Sequence, residues 1–251
     1  MKMTGNSILI TGGASGLGLE MARAFLALGN EVLVCGRRES RLREALKDNP
    51  GLHTFVCDVA TEAGRAALVK QVCASFKGIN VLVNNAGLQR DIDFTKGAGG
   101  FLSGPSEIAV NLEAPIVLSG LFIPILTGMD NATIINVSSG LGFVPAAKMP
   151  VYSATKAGLH AFSLALRQQL KAVGIRVVEV VPPAVDTELN PEGRANRGGY
   201  KVELKPPEFT AAVMRGLAED SSEIGYGTTE KSIRASREDL DKAFVQMNSR
   251  W

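Results

Sequence analysis

Ile8-Leu9-Ile10-Thr11-Gly12-Gly13-Ala14-Ser15-Gly16-Leu17-Gly18 passes from a short apolar run into a glycine-rich turn, and a helical pattern then continues through Leu28 to Gly29. The order is strand, tight turn, helix. Glycines at 12, 16 and 18 allow backbone amides to approach an anion closely and to aim at it from a helix N-terminus, where the macrodipole favours negative charge. The spacing is TGxxxGxG, not the commoner GxGxxG. A glycine-rich turn without a ligand is the plainer alternative, and the flanking strand and helix weigh against it.

Outward from this stretch the pattern repeats. Val32-Leu33-Val34-Cys35 reads as a second strand and ends in Gly36-Arg37-Arg38, the point at which a dinucleotide-binding unit meets the adenosine ribose. A carboxylate there would accept from a free 2′-hydroxyl, whereas arginine suits a 2′-phosphate. With no acid present and Arg37 following, NADP(H) is favoured and NAD(H) stays possible; the alternative is that both arginines open a solvated helix that also carries Arg41, Arg43 and Lys47. Thr54 to Cys57 forms a third strand ending in Asp58-Val59, where Asp58 accepts from an adenine amino group or merely supports the turn. Ile79 to Val83 forms a fourth and runs into Asn84-Asn85-Ala86-Gly87. Strands alternating with helices imply right-handed crossovers and a doubly wound sheet.

The second half carries the chemistry. A helical run from Pro105 to about Leu126 contains Asn111 and, four residues later, Pro115; proline has no N–H, so the main-chain carbonyl of Asn111 loses its helical partner and could hold a water. Thr133 to Val137 is a fifth strand ending in Ser138-Ser139-Gly140. Tyr152 and Lys156 stand four apart on the next helix, hence on one face. A nearby ammonium favours the phenolate, so Lys156 tunes Tyr152 as a general acid/base, with Ser139 placed to hold a substrate oxygen. The same helix has a Leu159, Phe162, Leu166, Leu170 stripe suited to the sheet and a face of Ala154, Gly158, Ala161 and Ala165 suited to close helix packing, read as an oligomer interface with intrachain packing as the alternative. Ile175 to Val181 is a sixth strand, followed by Pro182-Pro183 and Val185-Asp186-Thr187. Residues 188–207 lack periodicity and read as a substrate lid, with a plain mobile surface loop as the alternative. Arg194, Arg197 and Lys201 on it allow an anionic substrate without requiring one. Leu88 to Gly104 is expected to line the pocket, Ile224-Gly225-Tyr226 to form a last short strand, and the amphipathic tail from Ser236 to Trp251 to dock on a neighbouring subunit.

Composition bounds these readings. A chain of 251 residues with 45% hydrophobic and 21% charged residues suits a single α/β domain over 1–251. A net charge of +2 gives no reason to expect a nucleic acid partner. No signal-peptide pattern opens the chain and no apolar run suggests a membrane span, so a cytoplasmic protein without a membrane partner is expected. Cys35, Cys57 and Cys73 read as buried reduced thiols. His53 and His160 receive no role, and no metal is expected.

Thr11-Gly12 with Gly16 and Gly18, Asp58-Val59, Asn84-Asn85-Ala86-Gly87, the set Asn111, Ser139, Tyr152 and Lys156, and Val185-Asp186-Thr187 together resemble the classical short-chain dehydrogenase/reductase superfamily over essentially the whole chain. Within it the sequence is most similar to the DltE-like oxidoreductase group, with Pro183 where glycine is usual. The resemblance implies a Rossmann-like fold with a central, mostly parallel seven-stranded sheet. It implies Asn111, Ser139, Tyr152 and Lys156 as a catalytic tetrad. It implies cofactor contacts from Gly12, Ser15, Gly16, Leu17, Gly18, Arg37, Asp58, Val59, Asn85, Ala86, Gly87, Tyr152, Lys156, Pro182, Val185 and Thr187. The expected activity is hydride transfer between nicotinamide and a small carbonyl or alcohol substrate, in a homodimer or homotetramer. The competing reading is a catalytically silent dinucleotide-binding regulatory or scaffold protein, against which the intact tetrad argues.

Overall fold

The structure is a computed structural model that describes residues 1–196, 202 and 204–249. Among these, seven strands form one sheet in the order β3-β2-β1-β4-β5-β6-β7, and every neighbouring pair is parallel. The strands are β1 Ser7–Thr11, β2 Glu31–Gly36, β3 Leu52–Val56, β4 Val81–Asn84, β5 Thr133–Val137, β6 Arg176–Val180 and β7 Glu223–Ile224. The helices are α1 Gly16–Ala27, α2 Glu39–Asp48, α3 Glu62–Ser75, α4 Gly99–Leu102, α5 Ala114–Leu126, α6 Pro150–Leu170, α7 Pro191–Asn196, α8 Pro206–Ala218, α9 Thr228–Ser232 and α10 Arg237–Asn248.

The central strands are apolar on both faces because helices cover both. Alternate residues go to opposite cores. Ile8, Ile10, Val32, Val34, Val81 and Val83 pack with Phe25 of α1 and Phe209 and Val213 of α8. Leu9, Leu33, Leu82, Ile134 and Val177 pack with Leu68 of α3, Phe122 of α5 and Leu166 of α6. The chain reverses its direction of winding between β1 and β4, and in such sheets the crevice at the strands' carboxyl ends is where a ligand sits.

Several local readings change. The stretch after Asp91, read as loop, contains a 3-10 turn at Phe94–Lys96 and the short α4. The expected helix from Pro105 widens into a single π turn at Ala109–Glu113 before α5. Pro115 lies at the start of α5, where its missing N–H is tolerated, and the wider turn in front of it is the form the disruption takes. A second proline inside α5, Pro124, escaped the sequence reading. Contrary to the expectation that no apolar run suits a membrane, Ala109–Leu126 is long and apolar enough to cross one, with a mean hydropathy of 1.8 over 18 residues. Here it is a core element, packed against β4, β5 and α3. Cys35 and Cys57 are buried, but Cys73 is exposed. Part of the stretch expected as a lid is α7, while residues 197–201 and 203, and with them Arg197 and Lys201, lie outside the described residues, as does Trp251.

Candidate active site

The glycine-rich turn is held against the end of β4. Asn85 Nδ2 donates to the carbonyls of Thr11 at 2.9 Å and Gly12 at 3.2 Å. In return Thr11 Oγ1 accepts from the main-chain N–H groups of Asn85 and Ala86, each at 3.0 Å. Gly12 and Gly16 have φ of +65° and +55°, which an L side chain adopts only under strain. Gly13, which the motif reading passed over, lies so close to β2 that a Cβ would come within 2.5 Å of Val34. Ser15 stands at the N-cap of α1 without a side-chain bond to it, and the first turn carries no acid. The N–H groups of this helix end are therefore left for an anion.

At the end of β2, Arg37 and Arg38 both line the cavity. Arg38 is the better anchored, donating to Ser15 Oγ at 3.1 Å and to Glu188 Oε2 at 3.3 Å. Glu188 also accepts from Arg41 at 2.5 Å. Asp58 accepts from the N–H of Ala60 at 3.0 Å through Oδ1. Asn84, unlike Asn85, points into the core and donates to Asn136 Oδ1 and Ser119 Oγ.

One cavity of about 830 Å³ joins this end to Ser139, Tyr152 and Lys156 and is also lined by Gly12, Ser15, Gly16, Leu17, Gly18, Asp58, Val59, Asn85, Ala86, Gly87, Pro182, Val185 and Thr187. Pro183 is accommodated in its wall. Asn111 stands apart from the lining, fully buried in the π turn. Its amide donates to Leu88 O at 2.7 Å and Thr155 Oγ1 at 3.2 Å, and its Oδ1 accepts from Leu88 N at 2.8 Å. The side chain thereby pins the strand-end loop to α6.

Tyr152 and Lys156 are 5% and 3% exposed. Burial pushes the Tyr152 phenol up to about 12, against a hydrogen bond with Ser139 that lowers it, and the Glu107 carboxylate adds to the rise. Burial likewise holds Lys156 down at about 8, with Glu179 pulling upward. The expected lowering of the Tyr152 pKa by Lys156 is not met: desolvation of the phenolate raises it, and the lowering contribution comes from Ser139. Lys156 Nζ lies 5.6 Å from the Tyr152 ring centroid and donates to Val137 O at 2.8 Å.

The substrate end departs from expectation. Of the segment 88–104 only Gln89 lines the cavity among the described residues. Arg90 instead organises that segment, its guanidinium donating to the carbonyls of Gly100, Ser103 and Pro105. The C-terminal helix α10, expected on a neighbouring subunit, covers this chain's own cavity through Ala243, Gln246 and Met247. Asn248 ties it down, accepting from Ala147 N at 2.7 Å and donating to Pro145 O at 3.0 Å. An amphipathic tail was legible; its docking place was not. His160 also gains a partner, Glu179, at 2.8 Å.

A family model described as short chain dehydrogenase matches residues 6–198. The uncharacterized oxidoreductase DltE of Bacillus subtilis is 46% identical over 249 residues, covering 99% of each chain. The NADP-dependent 3-hydroxy acid dehydrogenase YdfG of Salmonella typhi is 33% identical over 216 residues, 82% of this chain and 86% of its own. Among solved structures, a closed serine dehydrogenase complexed with NADP+ superposes with a TM-score of 0.77 at 29% identity, covering 87% of this chain and 93% of that one.

Proposed function

Because this chain belongs to the short chain dehydrogenase family, as a DltE-like NAD(P)-dependent oxidoreductase acting on a CH–OH or C=O group, we propose that it is an NADP(H)-dependent reductase of a small carbonyl compound with Tyr152 as general acid. The observation that carries this reading is one continuous cavity. At one end are the uncapped N-terminus of α1 and two arginines, and at the other Ser139, Tyr152 and Lys156.

The dinucleotide, when bound, supplies the hydride to the carbonyl carbon. Gly12, Ser15, Gly16, Leu17 and Gly18 offer the backbone amides for its phosphates, and Arg37 with Arg38 offers charge for a 2′-phosphate. Asp58 and Val59 would receive its adenine, and Ala86, Gly87, Pro182, Val185 and Thr187 would line the place for its nicotinamide. Ser139 Oγ holds the substrate oxygen while Tyr152 Oη gives it a proton. The Lys156 ammonium lowers the cost of the phenolate that results, and the main-chain carbonyl of Asn111 holds a water that returns a proton to it.

The wall beyond Tyr152 is mostly apolar, formed by Val110, Val144, Met149, Leu189 and Met247, with the amides of Gln89 and Gln246 as polar points. That favours a substrate with an apolar body over a densely charged one. The chain is read as one domain, with Glu188, Leu189 and Val202 together with α10 at the substrate end. The exposed apolar residues Ile108, Ile116, Leu121 and Leu164, together with the exposed Ala154, Ala161 and Ala165, suit a helix-packed homodimer or homotetramer.

Calorimetric titration with NADPH and NADH tests the cofactor choice. Arg37→Asp is expected to weaken NADPH binding by roughly 10–100-fold and leave NADH nearly unchanged; equal wild-type affinities would overturn it. Removing α10 by stopping the chain after Ala235 is expected to raise the substrate KM about tenfold or more and leave NADPH affinity within about twofold, since α10 buries no residue of its own. Because Lys156 must be an ammonium to assist, reductive kcat/KM should be flat at neutral pH and fall as pH rises through about 8.

A further inference from the structure

A buried row of polar side chains crosses the sheet beside the tetrad. Asn84 of β4 is in register with Asn136 of β5, Asn136 with Glu179 of β6, and Glu179 with Glu223 of β7. All four lie on the strand face covered by α5 and α6, where their neighbours on these strands are the apolar Leu82, Ile134 and Val177. Asn136 Nδ2 donates to Ser163 Oγ of α6 at 2.9 Å, which satisfies one amide in the row with another short polar group.

Glu179 is different, because it is an acid with no exposed surface. Its two oxygens are engaged separately. Ser138 Oγ donates to Oε1 at 2.5 Å, and His160 Nδ1 meets Oε2 at 2.8 Å. A buried carboxylate persists only where cations and donors compensate it. Ser138 directly follows Val137, whose carbonyl accepts from Lys156 Nζ, and His160 lies one helical turn after Lys156 on α6. The carboxylate, the lysine and the histidine are therefore locked together by three hydrogen bonds, the Val137–Ser138 peptide link and one helix turn.

We infer that Glu179 is a positioning residue of the reaction, the buried counter-charge that keeps Lys156 an ammonium, and that His160 is the solvent-side group that masks or unmasks that charge. The inference rests on the role given above to Lys156. The tetrad motif contains neither residue, and 19 positions separate His160 from Glu179 in the chain.

The charges facing the pair come from several elements. Glu223 of β7 brings a carboxylate within 4.8 Å of both groups. Arg167 of α6 lies near His160, but its guanidinium is spent on Val177 O and Ser222 O. The Phe143 ring closes the other side, its centroid 4.5 Å from that of His160. The hydrogen bond to Glu179 raises the His160 pKa above the ordinary 6.5. Below that raised value the imidazolium cancels part of the Glu179 charge; above it the carboxylate acts on Lys156 in full. Lys156 titrates at about 8, and the support it draws from Glu179 is full wherever the histidine is neutral.

The test follows the ε-carbon of Lys156 by 13C NMR across pH in the cofactor-free protein, assigned by comparison with Lys156→Met. Glu179→Gln keeps the shape and the partners for Ser138 and His160 but removes the charge. It should move the Lys156 midpoint down by about one pH unit, a tenfold smaller ratio of ammonium to amine at a given pH, and should move the alkaline limb of kcat/KM with it. Glu179→Asp should return the midpoint towards the wild-type value. His160→Asn keeps a donor for Glu179 and should leave the midpoint in place. A merely structural Glu179 would change melting temperature or KM and leave the midpoint unmoved, and that result would overturn the inference. Wild-type protein supplies a check that needs no variant: a His160 midpoint at or below 6.5 would equally overturn the pairing. These titrations read Lys156 without turnover, so they stand apart from any failure of the Tyr152 assignment.

Discussion

Tyr152→Phe is expected to lower kcat by about 10³-fold or more, at the upper part of the range for losing a positioned general acid, while cofactor affinity stays within about twofold. The expectation follows from how the phenol is held. Tyr152 is buried on α6, and Phe fills the same volume, so the helix and the cavity wall keep their packing. The hydrogen bond lost is the one with Ser139, whose Oγ still accepts from Leu141 N at 3.2 Å. Stability should therefore change by about 1 kcal/mol or less. Parallel measurement of turnover, NADPH binding and melting temperature separates loss of the proton from loss of the fold. Undiminished turnover would remove Tyr152 from the mechanism, whatever the cofactor proves to be.

Gly18→Ala is expected to weaken the dinucleotide site at least about 100-fold and to cost about 3 kcal/mol of stability, the sum of overpacking and weakened hydrogen bonds. A Cβ there would lie 2.4 Å from Asn85 Nδ2 and 2.6 Å from Gly12 O. Neither can move cheaply, because the Asn85 amide is what joins the turn to the end of β4. Pushing it away opens the turn that presents the amides of α1. Gly120→Ala is the control: nothing lies within 4 Å of its added Cβ, and in the interior of α5 alanine is the better helix former. Denaturation midpoints and NADPH isotherms of both variants decide the matter. A Gly18→Ala protein that binds NADPH normally would show that the turn tolerates a side chain and would remove the steric basis of the motif.

Much of this was readable from local sequence. The apolar runs at 8–10, 32–35 and 133–137, each followed by turn residues and then a helical period, specify parallel strands covered on both sides. The position of the crevice follows from their order, and the order brings Gly12, Ser139, Tyr152 and Lys156 to one edge. Such readings succeed because strand and helix periodicity, glycine conformation and the four-residue spacing of Tyr152 and Lys156 are properties of neighbours in the chain.

What the chain alone left open depends on groups brought together laterally. Arg38 is anchored by Ser15 and Glu188, the three coming from separate segments. The docking of α10 over the cavity hangs on Asn248 meeting the loop at Pro145 and Ala147, a match that no periodicity announces. The upward shift of the Tyr152 pKa comes from burial, which only the assembled cavity creates. His160 shows the division most plainly. In sequence it has no carboxylate at a telling distance, yet strand register places Glu179 on the facing position of β6 and the turn of α6 delivers the imidazole to it. The local sequence determined the elements and the placing of Tyr152 and Lys156 on one helix face, whereas register and helix docking decided which buried charges meet, because electrostatic energy depends on distance in space and not along the chain.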